Sequence, residues 1–198
     1  MGLDLDYING QTPLDEEEKE GLLIPTIATR EELDEFEQQN VEEAIQWLIG
    51  KSFKPEKVLT EKFICDVHER MFNQVWKWAG SFRHSQKNIG VDYWNIPMEL
   101  NNLIEDAKVW LQDEVFSPDE FAIRFKHRIV SIHCFSNGNG RHSRLMADII
   151  IEKLFDLDHF TWGDGDLSNE SDTRSEYLKA LKEADKGSLD NLLKFARS

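Results

Sequence analysis

Apolar residues recur at helical spacing along most of this 198-residue chain, and the alternating pattern of a strand is almost absent. After Pro97, for example, the apolar side chains are Leu100, Leu103, Ile104, Ala107 and Leu111. Steps of three and four residues place such side chains on one face of a helix. The pattern predicts about seven helices and an all-α fold.

Local signals mark where two of these helices begin. Thr29 precedes an acidic first turn, and its hydroxyl is suited to cap the free N–H groups of a helix. Ser117 is followed by Pro118, a pairing that favours a cap residue with proline in the first helical turn. We therefore predict helices that start after Thr29 and after Ser117, with Gly50 ending the first of them.

Two stretches do not follow the helical pattern. Residues 1–28 are predicted to be an irregular N-terminal arm, and residues 29–198 are predicted to be the main domain with C-terminal helices. Within that domain, residues 77–97 lack helical periodicity and contain Gly80, Gly90 and Pro97. We predict a loop or a short hairpin there.

Composition excludes several classes of protein. The net charge of -15 argues against general nucleic-acid binding, which depends on Lys and Arg to neutralise phosphates. No window approaches the ~18 consecutive apolar residues of a membrane span, so no membrane association is expected. Residues 1–9 lack the basic start of a secretory signal. The two cysteines, Cys65 and Cys134, can form at most one bridge, which favours reduced thiols and a cytoplasmic protein.

The segment from His133 to Arg144 combines features of an anion-binding site. It reads H-C-F-S-N-G-N-G-R-H-S-R, a predicted helix end, a glycine-rich loop and a new helix start. Free N–H groups and the helix dipole favour phosphate at such a start. Arg141 and Arg144 add charge-assisted hydrogen bonds, and His133 is a natural general base beside them.

The same residues also permit an ordinary structural interpretation. A Gly-Asn loop between helices is commonly a turn, a histidine at a helix end is commonly a cap, and an arginine pair is commonly a solvated face. Glycine patterns alone are weak signals of function. Composition and spacing therefore leave both interpretations open.

The segment resembles the active-site signature of the Fic family, H-x-F-x-[DE]-G-N-G-R-x-x-R. The matching residues are His133, Phe135, Gly138, Asn139, Gly140, Arg141 and Arg144. The resemblance covers about residues 55–155 and implies a helical Fic bundle with a short β-hairpin flap. Residues 12–47 look like a subgroup on mobile elements called mobile mystery protein B, which implies a toxin-like role.

The resemblance implies a protein adenylyltransferase that transfers AMP from ATP to a hydroxyl side chain of a target protein. His133 would accept the hydroxyl proton. The nucleotide-binding residues would be Asn137, Gly138, Asn139, Gly140, Arg141 and Arg144. Phe135 would anchor the loop in the core.

Asn137 departs from the signature, in which Asp or Glu holds Mg²⁺ or Mn²⁺. An amide oxygen can bind a hard cation, but it lacks the negative charge. Asn137 is therefore an uncertain metal ligand. The substitution keeps open two alternatives: transfer of another group, such as phosphate or UMP, and a catalytically weak interaction module.

The resemblance also implies partners and regulation. The flap, with Asn88, Ile89 and Gly90, would dock an extended segment of an unknown target protein. Many Fic proteins are silenced by a helix bearing [ST]-x-x-x-E-[GN], which this chain lacks. The helix after Thr29 could place Glu31, Glu35 or Glu37 near the site, and a separate antitoxin-like inhibitor is the alternative.

Overall fold

The computed structural model describes residues 12–164, residue 167 and residues 171–198, and it is mostly helical. Among these residues the helices are α1 (Glu16–Lys19), α2 (Arg30–Leu48), α3 (Pro55–Val58), α4 (Glu61–Phe72), α5 (Ile96–Gln112), α6 (Pro118–Ile132), α7 (Asn139–Phe155), α8 (Asp172–Ala184) and α9 (Asp190–Ala196). Short 3-10 turns lie at Tyr93–Asn95 and Trp162–Asp164. The predicted all-α class is confirmed.

The predicted caps form as expected. The Thr29 hydroxyl accepts the N–H of Glu32, whose carboxylate in turn accepts the N–H of Thr29, and α2 begins there. Ser117 accepts the N–H of Glu120 at the start of α6. From Pro55 onward the chain forms two helices, α3 and α4, because Thr60 caps a new helix through the N–H of Phe63.

The core lies where α6 and α7 pack together, with α5 and α4 against them and α2 on the outer side of α4. Fully buried side chains from these helices include Ile64, Met71, Ile123, Phe125, Met146 and Ile150. The last two helices pack on each other, and α9 also contacts α6. The loop between α6 and α7 is thus held in a packed frame on several sides.

The predicted β-hairpin flap does not form as a hairpin in the structure. Residues 81–92 run as an irregular loop, and the one isolated bridge in the described part of the chain joins Leu22 and Trp76. The loop ends bond elsewhere: the Arg83 N–H donates to Cys134 O, and the Val91 N–H donates to Ile132 O. Since these backbone groups bind the end of α6, they are unavailable for pairing within a hairpin.

Two further sequence predictions concern disulfide bonds and membrane association. Cys65 and Cys134 are both free thiols, so no disulfide joins them. Over the described residues, no helix has the length and apolar character needed to cross a membrane. Most of the predicted N-terminal arm can be followed from residue 12, while residues 1–11 lie outside the described part.

Candidate active site

His133 lies at the end of α6 in a backbone conformation that is rare for a side-chain-bearing residue. Its φ of 59° and ψ of 61° are left-handed, and the residue is 5% exposed. Burial, with Arg83 and Lys87 nearby, lowers the pKa of His133 to about 4. Because this value lies below the usual 6.5, the ring is neutral near pH 7 and can accept a proton.

The buried side chain of Arg83 holds His133 in this position. Its Nε donates to the His133 carbonyl at 2.7 Å, and its other nitrogens donate to the carbonyls of Ser85 and Val91. Arg83 is 1% exposed, so all three bonds form away from water. The guanidinium therefore joins the flap loop to the end of α6, in place of strand pairing.

Gly90 lets the flap loop approach His133 closely. Its φ is +89°, and a Cβ there would lie 2.5 Å from the Cβ of His133. Only glycine tolerates both the conformation and the approach. The neighbouring Asn88 and Ile89 are exposed, so the predicted docking residues form an accessible edge beside the histidine.

Asn139 shapes the loop between α6 and α7. Its side-chain oxygen accepts the N–H of Phe135 at 3.0 Å, and its amide donates to the carbonyl of Phe135 at 2.8 Å. Phe135 itself is fully buried, as predicted for an anchor. Because the side chain is used to hold the loop, the backbone N–H is the Asn139 donor that we predict to bind phosphate.

His68 supports the loop from below, a role that the sequence did not indicate. Its ring stacks on Phe135 with centroids 3.7 Å apart. Its Nε2 is 3.0 Å from the carbonyl of Asn137, while Nδ1 accepts the N–H of Gly80 at 3.0 Å. Since Nδ1 is an acceptor, Nε2 carries the proton and donates to Asn137. Burial lowers the pKa of His68, in keeping with this neutral form.

The loop ends at the N-terminus of α7, where helix geometry leaves backbone N–H groups without helical acceptors. Gly138 has a φ of +76°, and a Cβ there would lie 2.5 Å from the Phe72 ring. The Asn137 side-chain oxygen accepts the N–H of Gly138. The first-turn N–H groups of Asn139, Gly140 and Arg141 are therefore those that can face an anion.

Arg141 is paired with a carboxylate from another helix. Its Nη2 binds Glu37 of α2, whose side chain also accepts from Trp76 Nε1. Glu37 is 1% exposed, and the Arg141 guanidinium lies 4.8 Å from the centroid of Phe72. Of the three glutamates considered from the sequence, Glu37 is thus the one brought to the site.

Arg144 lies one turn further along α7 and contacts a different aromatic ring. A Cβ built on Gly140 would lie 3.9 Å from its Nη1, so the guanidinium lies beside the start of the helix. It also lies over the Tyr177 ring, 5.4 Å from its centroid, and Lys126 Nζ is 4.6 Å from the same centroid. Lys126 is fully buried and its Nζ has no hydrogen-bond partner among the described residues. Burial lowers the pKa of Lys126. This side of the site therefore places Arg144 and Lys126 against the same tyrosine ring.

One hydroxyl contacts the candidate base directly. Thr12 Oγ1 lies 3.2 Å from His133 Nε2, and Thr12 is 7% exposed. The residue belongs to the N-terminal arm and is 121 positions away along the chain. No local sequence signal identifies Thr12 as a site residue, because the contact depends on how the arm folds back.

A second buried histidine and the predicted metal site complete the description. His142 is 1% exposed, and its Nε2 lies 3.0 Å from the carbonyl of Ile64. It therefore ties α7 to α4. Among the described residues, no group of three or more His, Cys, Asp or Glu side chains could hold a metal ion.

Comparison with known proteins finds a family model and relatives of similar sequence. The Fic/DOC family model matches residues 58–151. A curated relative named protein adenylyltransferase Fic, from Aedes aegypti, is 28% identical over 141 residues, which cover 69% of this chain and 27% of that protein. A second, from Nematostella vectensis, is 23% identical over 82% of this chain and 37% of that protein. The chain thus spans well under half of these relatives' length, 27% and 37%.

Solved structures show the same fold. Fic-1 (residues 134–508) from C. elegans has a TM-score of 0.67 at 22% identity, covering 90% of this chain and 51% of that one. BepC from Bartonella tribocorum, with bound AMPPNP, has a TM-score of 0.66 at 17% identity, covering 92% and 97%. The chain therefore has the Fic fold, and its residues 58–151 carry the match to the Fic/DOC family.

Proposed function

We propose that the chain is a protein adenylyltransferase, which transfers AMP from ATP to a hydroxyl side chain. The observation that carries the proposal is the contact between His133 Nε2 and a threonine hydroxyl, one loop away from a helix start flanked by Arg141 and Arg144. The adenylyltransferase names of the relatives and the AMPPNP bound to BepC support it.

The reaction would proceed by attack of the target hydroxyl on the α-phosphorus of ATP. The hydroxyl oxygen forms a bond to phosphorus, the bond to the bridging oxygen breaks, and pyrophosphate leaves. His133 takes the hydroxyl proton on Nε2, which its lowered pKa leaves free. Such transfer depends mainly on positioning and on neutralising charge.

The phosphates would lie at the start of α7. The N–H groups of Asn139, Gly140 and Arg141 would bind phosphate oxygens. Asn137 and Gly138 would fix the loop conformation that leaves these N–H groups accessible. Arg144, already beside Gly140, would contribute charge. Arg141 would bind the outer phosphates only after it leaves Glu37.

The residues do not fit a resident metal site. Mg²⁺ is usually held by one or two carboxylates together with substrate phosphates. Here Asn137 offers only a neutral amide oxygen, which accepts the N–H of Gly138. Mg²⁺ or Mn²⁺ would enter as part of the ATP complex, with Asn137 at most a weak ligand.

The target would dock along the flap loop. Asn88 and Ile89 are exposed, and Gly90 lies against His133, so a segment held there would bring its hydroxyl to the base. An extended target could bind through its backbone at this edge. The identity of the target protein would then depend on surfaces outside the reaction centre.

Glu37 supports inhibition from within the chain. Its carboxylate pairs with Arg141, the residue that would bind the outer phosphates. The residues around Glu37 do not follow the inhibitory motif [ST]-x-x-x-E-[GN]. A separate antitoxin-like inhibitor is the alternative.

The proposal also covers the cellular location of the protein, its toxin-like role and its domain organisation. A cytoplasmic location is supported by the free thiols of Cys65 and Cys134, since disulfides are rare in reducing compartments. The resemblance of residues 12–47 to mobile mystery protein B supports a toxin-like protein on a mobile element. The proposed organisation keeps residues 1–28 as an arm and residues 29–198 as the Fic domain.

Asn137 favours a second candidate, transfer of a different phosphate-containing group by the same site. Its neutral side chain removes the charge that would fix a metal on ATP in the usual position. A donor with another arrangement, such as one that gives up its terminal phosphate, is then compatible. UTP carries the same triphosphate as ATP, so transfer of UMP would differ only in the base that the site accepts. A pure interaction module is less well supported, because His133 keeps a proton-accepting nitrogen in contact with a hydroxyl.

The test is incubation of the purified protein with a cell lysate and ATP labelled at the α-phosphate, with Mg²⁺ or Mn²⁺. We expect label on lysate proteins, and a loss of about 100-fold or more with His133→Ala, because general-base catalysis contributes on that scale. Label from UTP alone would support the second candidate. Labelling that is equal in His133→Ala would refute both.

A further inference from the structure

The N-terminal arm is fixed across the reaction centre by an ion-pair network. Lys87 of the flap loop binds the Glu18 carboxylate and the carbonyl of Pro13, and its Nζ is 3.7 Å from Asp15. Ser85 also donates to Glu18, at 2.9 Å. Both Lys87 and Glu18 are largely buried, at 6% and 9% side-chain exposure, so the network is shielded from water. The arm is therefore held to the same loop that contacts His133.

This anchoring determines where Thr12 lies. Pro13 follows it directly, and Leu14 is only 5% exposed, so the chain on one side of Thr12 is fixed. The hydroxyl then reaches His133 Nε2 at 3.2 Å, within the range in which a general base contacts the proton that it removes. Any target hydroxyl would have to occupy this position, and the chain's own threonine is already there.

We propose that Thr12 is a self-modification site, the acceptor of AMP in a reaction within one molecule. The inference rests on the proposed AMP transfer and adds its first specific acceptor. Thr12 Oγ1 forms a bond to the α-phosphorus of ATP, its proton passes to His133 Nε2, and the phosphoanhydride bond breaks to release pyrophosphate. The product is a phosphodiester on the arm, and the reaction needs no other reactant.

Self-modification would also change access to the site. An unmodified Thr12 competes with a target for His133, whereas an adenylylated arm carries a bulky, negatively charged group. That group would not fit the buried position that the hydroxyl occupies at 7% exposure. The modified arm would therefore leave the site and expose His133 to a target protein.

The experiment compares wild-type protein with Thr12→Val, Thr12→Ser and Thr26→Val. Each is incubated with α-labelled ATP, first alone and then with a cell lysate, and the modified residue is located by mass spectrometry. Thr26 is an exposed threonine in the same region and serves as the matched control. Because Glu37 could mask activity, the same set is also prepared with Glu37→Gln.

We expect one AMP per chain on Thr12 in the wild type and in Thr26→Val, with a first-order rate independent of protein concentration. Thr12→Ser should keep the label. Thr12→Val should lose it, because it has no acceptor hydroxyl, and its unmodified arm should also lower the labelling of lysate proteins. Label that stays in Thr12→Val, or maps to another residue, would overturn the assignment. Lysate labelling without label on Thr12 would overturn this inference alone, and no label anywhere would overturn the proposed function as well.

Discussion

At the residue scale, His133 is defined by its surroundings more than by its position in the sequence. Its side chain is buried, its carbonyl is held by Arg83, and Gly90 leaves room for it. Burial and the two nearby cations disfavour the charged ring. A neutral base is available at physiological pH as a result.

This environment predicts an unusual titration. The pKa of about 4 lies below the ordinary 6.5, so His133 should remain neutral as the pH falls through 6.5 and gain its proton only near 4. The measurement is the pH dependence of the ring proton resonances by NMR, with His133→Ala to assign the signal. A midpoint near 6.5 would show that the ring is solvated and that the buried arrangement is wrong.

His133, Arg141, Arg144 and the glycine loop could be predicted as site residues because they are close together along the chain. Thr12, Arg83 and His68 could not, because they reach the site from 50 or more residues away. Each of those contacts depends on tertiary packing, which no local pattern encodes. From the sequence, Glu31, Glu35 and Glu37 were all candidate neighbours of the site. The packing of α2 on α4 is what brings Glu37 to Arg141.

At the element scale, the loop between α6 and α7 depends on close contact with α4. Gly138 faces the Phe72 ring of that helix with a positive φ, and Asn139 closes the turn on Phe135. The helix boundaries around this loop follow from caps and glycines that can be identified in the sequence. The flap could not be predicted equally well, because Arg83 provides its connection to α6 through side-chain bonds to backbone carbonyls.

Gly138 offers a test of this packing, with Gly50 as a matched control. Their φ values are +76° and +71°, but a Cβ at Gly50 meets nothing within 4 Å. Gly138→Ala should lower the free energy of unfolding by about 2–4 kcal/mol, from backbone strain and overpacking together. Gly50→Ala should cost about 1–2 kcal/mol, from strain alone. Equal losses in denaturant unfolding would contradict the close contact with Phe72.

The pairing of α2 with α7 gives a second prediction. Glu37→Gln should keep a hydrogen-bond acceptor for Trp76 but release the charge of Arg141, and ATP affinity should rise by about 10-fold or more. Calorimetric titration with ATP measures the change. Glu35→Gln, an equal change of charge at an exposed position of the same helix, should have little effect. If both variants bind ATP as the wild type does, Glu37 does not restrain the site.

At the scale of the whole molecule, positive charge is concentrated in a strongly acidic protein. The net charge is -15, yet Arg141 and Arg144 lie together at one helix start, where Glu37 pairs with Arg141. Such an arrangement favours a small anionic ligand at one place and disfavours polyanions elsewhere on the surface. A nucleotide fits this distribution of charge, and a long nucleic acid does not.

The proposed reaction transfers the α-phosphoryl group of ATP together with its nucleoside, with His133 as the base. The decisive experiment follows ATP labelled either at the α- or at the γ-phosphate, in parallel, with wild type and His133→Ala. We expect protein-bound label from the α-phosphate only, together with released pyrophosphate, and almost none with the variant. Label from the γ-phosphate, or α-label that persists in His133→Ala, would contradict the proposed reaction.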